Sequence, residues 1–562
     1  MSLAAVAGTA WVGSNVAAWM RYRRALERPV VAQASVLMRY LRENAGTRAG
    51  RRHGFADIRT IEEYRARVPL TSYDDLGADL DAIACGEQDV LTRDRVRSFG
   101  LSSGSVSAAK RIPHTATLQR EFRRAIAPWI VDLYRRRPAL ASGCSYWSIT
   151  PVAVDRPDAS SPVPVGFEED TEYLGAMWKR LVDATLAVPG VVRFVRDIEA
   201  FRYVTLLFLL RRADLRLVSV WHPSFLTLLL GALPMYWDAL LNDLRQGTVT
   251  PPAPIPPSVE GELRRTIRSN TVRAGELSRI GPHDCACIWP RLRLVSCWAD
   301  GHAGLYVAAL RRLLPHVEIQ PKGLLATEAV VTIPFRGLRP LAVRSHFFEF
   351  LDAGRTYLAH ELVPGAIYTV VVTTGGGLYR YRLEDRVEVD GFVGATPSLR
   401  FLGKEDHVSD LCGEKLNETF VAGALADACA TAGMQPRFAL VAPDLISDPP
   451  CYSLYVEADM ASTDALGRAL EGRLSSNPHY RYCRALGQLG PLRVFAASAP
   501  MFPAYLQRCR DLGQRVGDVK PLALSSLSGW GEVFGGDRGQ ETEPSPAASP
   551  ASRSGVPGSA GR

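Results

Sequence analysis

Lysine is nearly missing from this chain. Its 562 residues include 66 basic ones, yet only Lys110, Lys179, Lys322, Lys404, Lys415 and Lys520 are lysines and the remainder are arginines. Lysine in such a chain survives mainly where a compact, mobile ammonium does what a planar guanidinium does less well, such as following a phosphate through a reaction. The ten cysteines, among them Cys85, Cys144, Cys297, Cys412 and Cys509, are too scattered to form a disulfide framework for a chain of this size, which points to a reducing compartment. Cys285 and Cys287 stand too close together and too alone for a zinc site, and read as core or loop thiols. No basic block and no interleaving of basic with aromatic residues occurs, which argues against a nucleic-acid partner. The net charge of +8 is spread along the chain and suits small anionic molecules. No internal repeat of fixed period is present.

The first twenty residues, MSLAAVAGTAWVGSNVAAWM, are apolar and precede Arg21, Arg23 and Arg24. They lack the leading positive charge of a signal peptide, and Gly8, Gly13, Ser14 and Asn15 weaken them as a membrane span. The expectation is a packed or peripheral helix, with at most peripheral membrane contact, on a cytoplasmic protein.

The chain is too long for one core and should divide into two or more domains. Ala34, Leu37, Met38 and Leu41 recur at helical spacing, so the N-terminal region opens with helices ending near Gly46. The run LRLVSVW reads as a strand from about Arg216 to Val220, and Pro223 with Ser224 starts an apolar helix, FLTLLLGAL. The stretch VTPPAPIPPSVEG, ending near Gly261, is a proline-rich surface loop within the large domain. Strand patterns follow at Leu292 to Cys297, Ala329 to Ile333, Ala342 to Phe350 and Tyr368 to Thr373, and their separation by helical segments implies a mixed α/β architecture. Beyond about Gly535 the chain is rich in Pro, Ser, Gly and Ala and cannot bury enough surface to fold. Truncation after about Ser528 is therefore expected to leave folding intact.

Four segments look built for chemistry. In SFGLSSGSVSAAKRIPHT (Ser98 to Thr115) small hydroxyl residues and a glycine precede Lys110. Exposed N–H groups, hydroxyls and an ammonium make an anion nest suited to the β- and γ-phosphates of ATP, although the ending of a Walker loop is missing. GLLATEA (Gly323 to Ala329) presents Thr327 and Glu328 at a strand entrance, where a carboxylate can hold Mg²⁺ together with phosphate oxygens. GGGLYRYRLEDRVEV has a glycine turn, the basic pair Arg380 and Arg382, and Asp385, whose carboxylate can accept ribose hydroxyls. LGKEDHVSDLCGEKLNE (Leu402 to Glu418) mixes charge and glycine in the manner of an exposed hinge.

The order of these segments resembles that of the GH3 family of acyl-acid amido synthetases, relatives of the adenylate-forming luciferases and acyl-CoA ligases, and is closest to the bacterial branch. VPLTSYDDL near Pro69, IPHT, LVSCWADG (Leu294 to Gly301) and GQRVGDVKPLAL (Gly513 to Leu524) match as well, so the likeness runs from about Arg21 to Ser528. The resemblance implies an α/β fold: a large adenylate-forming N-terminal domain with mixed sheets and helices (1–402), a smaller mobile α+β C-terminal domain (403–535) and a disordered tail (536–562). It implies that a carboxylic acid attacks the α-phosphate of ATP and that an amine, typically an amino acid, then takes the acyl group from the adenylate. Carried over residue by residue, Ser102, Ser103, Gly104, Ser105 and Lys110 belong to the phosphate loop. Thr327 and Glu328 lie at the nucleotide and Mg²⁺, and Asp385 at the ribose. Arg382, Asp406 and Lys415 fall in the third and hinge motifs, and Lys520 is the lysine of the mobile domain. The sequence departs from the family at Val106 and Ser107, where threonine and glycine are usual, at Glu384 in place of a glycine, and at Lys404 in place of an arginine. Acyl transfer to a thiol such as coenzyme A, and a degenerate member that binds ligand without turnover, are the alternative readings. Trp147, Trp221, His222 and Phe225 are candidates for an apolar acyl pocket or for core.

Overall fold

In the computed structural model, which describes residues 3–101, 110–147, 163–164, 185–404, 408–409, 411–412, 414, 416–458, 463–485, 487–497, 500–512, 514 and 519–534, the hydroxyl-rich loop is bracketed by an antiparallel pair, β1 (Val96–Leu101) and β2 (Arg111–Thr115). Thr115 then caps the helix Ala116–Arg136, its hydroxyl oxygen accepting from the N–H of Leu118 at 3.1 Å. The loop's exit is thereby fixed to a long, largely buried helix.

A parallel sheet of four strands in the order β3 (Cys144–Trp147), β4 (Leu215–Ser219), β5 (Leu294–Cys297) and β6 (Glu318–Pro321) forms the second layer. Helices cover it, so its strands are short and mostly apolar rather than alternating. The LRLVSVW run is β4, and Pro223 opens the helix Pro223–Gly231 as the sequence predicts. An antiparallel sheet follows with β7 (Phe347–Asp352), β8 (Arg355–Tyr357), β9 (Ile367–Thr373), β10 (Tyr381–Val393) and β11 (Thr396–Lys404), ordered β11-β10-β9-β7-β8. Burial alternates along most of β10, which places one face on the core.

After the short pair β12 (Val408–Ser409) and β13 (Leu416–Asn417), a last sheet joins β14 (Phe438–Asp444) antiparallel to β15 (Cys451–Glu457) and β15 parallel to β16 (Arg493–Ala497). The helices Glu418–Thr431, Thr463–Leu474 and Phe502–Asp511 close over it, with hydrophobic clusters of their own. The mixed α/β class expected from the sequence holds.

The apolar N-terminus is the helix Leu3–Leu26, packed on the helix Ala116–Arg136 with Trp11, Trp19, Tyr22 and Leu26 buried. Tyr22 donates its hydroxyl to the Leu341 carbonyl at 2.9 Å. Among the described residues no single helix is long and apolar enough to cross a membrane.

Three expectations need correction. Ala329 to Ile333 and the start of Ala342 to Phe350 form only isolated bridges, Leu325 with Val330 and Thr332 with Leu341, and the regular strand begins at Phe347. Val330, Val331 and Ile333 are fully buried without alternation, and Pro334 and Pro340 lack the N–H that a ladder needs. The end of the proline-rich loop is helical, within Pro257–Thr266, with Pro257 at the first helical position. Beyond Ser528 the chain still packs on the domain: Trp530–Val533 is a helical turn, and Trp530 is 3% exposed with its indole N–H donated to the Ser525 hydroxyl at 3.0 Å.

Candidate active site

The carboxyl ends of parallel strands are where an open α/β sheet leaves room for a ligand. Here the chain leaves β4 at Trp221, β5 at Trp298 and β6 at Lys322. The ladder continues past the strands, with the N–H of Trp298 donating to the Trp221 carbonyl at 2.7 Å and that of Lys322 to Cys297 at 2.8 Å. The two indoles lie 5.4 Å apart. The Lys322 ammonium sits 4.2 Å above the Trp221 ring, and the Lys520 ammonium 4.3 Å above Trp298 and 5.9 Å from Phe401. Trp298, Lys322, Phe401 and Lys520 line a cleft, open to solvent, whose wall also includes Leu324, Lys404 and Trp530.

Lys520 reaches this cleft from the other side. Its segment runs along the edge of β14, with Val441 donating to the Ala523 carbonyl and Ser525 donating to the Val441 carbonyl, both at 2.8 Å. Glu418 accepts from the N–H of Ala523 at 3.2 Å, and Tyr505 donates to the Lys520 carbonyl at 3.3 Å. The lysine is therefore tied to the C-terminal sheet while its head lies on an indole of the parallel sheet.

Beyond β6 the chain turns tightly. A Cβ on Gly323 would meet the Thr332 carbonyl oxygen at 2.0 Å, so only glycine allows the approach. Ala326 donates to the Ala329 carbonyl at 2.9 Å, so Thr327 and Glu328 occupy the tip of a turn rather than a strand entrance. Thr327 meets the phosphate-loop hairpin: a Cβ on Gly100 would lie 2.9 Å from the Thr327 methyl and 2.6 Å from Nε2 of His114. The first and second motifs are thus in contact.

The third motif joins them through a bulge. Register slips between Arg382 and Arg386 of β10 against β9, which takes Leu383, Glu384 and Asp385 out of the pairing with β9. Asp385 is buried opposite Lys404 of β11, whose ammonium lies 3.3 Å from Asp385 Oδ1 and donates to the Leu383 carbonyl at 3.1 Å. Lys110 Nζ lies 3.6 Å from Glu384 Oε2. Glu328 is 8% exposed, and burial pushes its carboxyl above the usual range; nearby Lys404 and Lys110 act against that rise and Asp385 adds to it. Lys110, Glu328, Asp385 and Lys404, from four separate segments, therefore share one corner of the molecule.

Arg382 donates its backbone N–H to the Thr71 carbonyl at 2.9 Å, docking the VPLTSYDDL segment on β10. Its neighbour Arg380 is structural: it forks onto both Glu349 oxygens at 2.9 Å and donates to the Arg65 and Val68 carbonyls. Ser102, Ser103, Gly104, Ser105, Asp406 and Lys415, with Val106 and Ser107, lie outside the described residues. The proposed acyl-pocket aromatics do not converge. Trp147 packs edge-on against Trp11 and Trp129, and Phe225 tilts on Phe201, while Trp221 and His222 stand near the cleft.

Sequence reasoning missed a buried support. Glu121 Oε2 accepts from the N–H of Gly375 at 2.9 Å and lies 3.1 Å from Nδ1 of His346, whose Nε2 accepts from the N–H of Val330 at 3.2 Å. One carboxylate and one imidazole, both fully buried, hold the glycine turn before Asp385 and the buried segment after Glu328. The only signal in the sequence is an acid on the apolar stripe of Leu118, Phe122 and Ala125.

Residues 19–319 match the description GH3 family N-terminal domain, residues 340–404 the GH3 family central domain, and residues 420–527 the GH3 family C-terminal domain. The chain belongs to the GH3 family. It is 27% identical over 459 residues to the probable indole-3-acetic acid-amido synthetase GH3.12 of Oryza sativa subsp. japonica, covering 72% of this chain and 73% of the relative. It is 24% identical over 540 residues to the indole-3-acetic acid-amido synthetase GH3.8 of Oryza sativa subsp. indica, covering 87% of each. Among solved structures, the GH3.15 acyl acid amido synthetase shares its fold, with a TM-score of 0.80 at 20% identity over 91% of this chain and 94% of that one.

Proposed function

We propose that this GH3 protein is an ATP-dependent acyl-acid amido synthetase of the cytoplasm, which activates a carboxylic acid as an acyl-adenylate and transfers the acyl group to an amine, an amino acid above all. The meeting of Lys110, Glu328, Asp385 and Lys404 at one corner, beside a cleft entered by Lys520 from the C-terminal sheet, supports this reading most strongly. In the first half-reaction two anions must approach, the acid's carboxylate and the α-phosphate. Ammonium groups and N–H donors fixed in advance stabilise the charge that develops.

In this reading Ser102, Ser103, Gly104, Ser105 and Lys110 cradle the phosphates, and Thr327 joins them through its contact with Gly100. Asp385 takes the ribose hydroxyls, held in place by Lys404. Arg382 and Asp406 flank the nucleotide. Lys520 serves adenylation, and Lys415 lies in the hinge about which residues 403–535 turn between half-reactions. The donor set fits Mg²⁺. Among the described residues no cluster of three or more acidic, His or Cys side chains could cage an ion, and Mg²⁺ commonly takes one or two carboxylates plus phosphate oxygens. Glu328 would hold it, and the ion would neutralise phosphate charge during attack.

Glu328 gives a two-sided prediction. Because burial raises its carboxyl, the folded protein binds that proton more tightly than the unfolded chain, and stability falls as pH rises through the raised value. Glu328→Gln is expected to raise the melting temperature of the ligand-free protein at pH 8, yet to lower adenylation by on the order of tenfold at limiting Mg²⁺, with partial recovery at high Mg²⁺. In the unmutated enzyme the Mg²⁺ requirement should grow as pH falls, and this dependence should vanish in the Gln variant. Wild-type pyrophosphate release by the variant at limiting Mg²⁺ would make Glu328 structural.

Product analysis tests the function itself. With ATP, a panel of aryl and alkyl carboxylic acids and a panel of amino acids, the expected products are AMP, pyrophosphate and an amide. Acyl transfer that requires coenzyme A instead would place the protein with the thiol ligases.

A further inference from the structure

Glu384 stands in a backbone conformation that L side chains adopt at a cost. Its φ is +62°, within the bulge of β10 and one residue before Asp385. Its carboxylate lies 3.6 Å from the ammonium of Lys110, and the two side chains are 22% and 21% exposed. Lys110 comes from a separate segment, one residue before β2, with the Tyr73 ring 5.9 Å from its ammonium. The bulge thus brings a carboxylate of the protein to the lysine that follows the phosphate loop. A left-handed position suits glycine, and glycine there would leave Lys110 without this neighbour.

We propose that Glu384 is a built-in competitor for the nucleotide: its carboxylate holds Lys110 in the nucleotide-free protein and gives it up to the phosphates of an arriving triphosphate. The device sets the affinity for ATP without taking part in either half-reaction. It rests on the reading of Lys110 as a phosphate ligand. A partly exposed ion pair is a modest barrier, one that a triphosphate can displace at the cost of a weaker dissociation constant.

Calorimetric binding of ATP, ADP and adenosine to the full chain tests this without any turnover. Measurements in EDTA remove any contribution from a metal. Glu384→Gln keeps the Cβ and the size of the side chain but removes the charge. It is expected to lower the Kd for ATP about fivefold and to leave that for adenosine unchanged. Glu384→Gly should act on ATP in the same direction. An unchanged Kd for ATP in Glu384→Gln overturns the proposal, and a weaker one would make Glu384 a ligand of the nucleotide. Equal tightening of adenosine also overturns it, since adenosine offers Lys110 no phosphate. Lys110→Ala, measured alongside, separates the two levels of the argument. If it leaves ATP affinity intact, the phosphate role of Lys110 falls and the competitor with it; if it weakens ATP while Glu384→Gln does not tighten it, only the competitor falls.

Discussion

Lys520→Ala is expected to cut acid-dependent pyrophosphate exchange by about 10² to 10³, a loss of about 3 to 4 kcal/mol, while amide formation from a presynthesised acyl-adenylate continues near the wild-type rate. The asymmetry follows from where the lysine is anchored. Its backbone is pinned to the edge of β14 through Ala523 and Ser525 and to Glu418 through Ala523, whereas its ammonium lies on Trp298 at the end of β5. Whatever the C-terminal sheet does, Lys520 goes with it. A flexible four-carbon stem can place one positive charge on the reacting phosphate and then withdraw. The indole face of Trp298, 4.3 Å away, offers the ammonium a cation–π resting place. Equal loss of both half-reactions in Lys520→Ala would contradict a rotation between them, and no loss in either would remove the lysine from the mechanism.

Truncation after Ser528 is expected to lower the melting temperature by on the order of 10 °C, whereas truncation after Phe534 should leave it unchanged. The shorter chain loses Trp530, whose ring stacks on Tyr505 at 5.2 Å and on Phe534 at 5.5 Å, under the Arg508 guanidinium at 4.7 Å. Removing a buried tryptophan from such a cluster costs about 3 to 5 kcal/mol. The damage should not stay local. Tyr505 also donates to the Lys520 carbonyl, and Ser525 accepts from Trp530, so the same deletion loosens the segment that aims the lysine. Equal melting temperatures for the two truncations would show that the stacked cluster does not hold this domain together.

How much of this was legible beforehand depended on whether a feature is local. The strand at β4 and the helix opened by Pro223 follow from residue spacing and from the fixed backbone of proline, which act over a few residues. The order of the four motifs placed the chain in its family, although none of them is diagnostic alone. Tertiary facts were out of reach. Nothing in GLLATEA says that Thr327 will face Gly100, and an acid in an amphipathic helix does not announce that Glu121 supports the turn at Gly375. The apolar run after Glu328 misled because a segment buried on every side shows no period, and period is what separates strand from loop. Trp530 was lost inside a composition argument: a single aromatic residue among Ser and Gly can still be the one that docks. Glu384 shows the limit most clearly. The sequence shows an extra carboxylate, but that it sits at positive φ and faces Lys110 is a matter of fold.

The central claim, that this site joins a carboxylic acid to AMP, is tested most directly by exchange of labelled pyrophosphate into ATP, screened over aryl and alkyl carboxylic acids in the absence of any amine. The account predicts exchange that requires an acid, needs neither amino acid nor coenzyme A, and is lost in Lys520→Ala. Tight ATP binding with no exchange for any acid would contradict it, and would leave a nucleotide-binding protein that does not turn over.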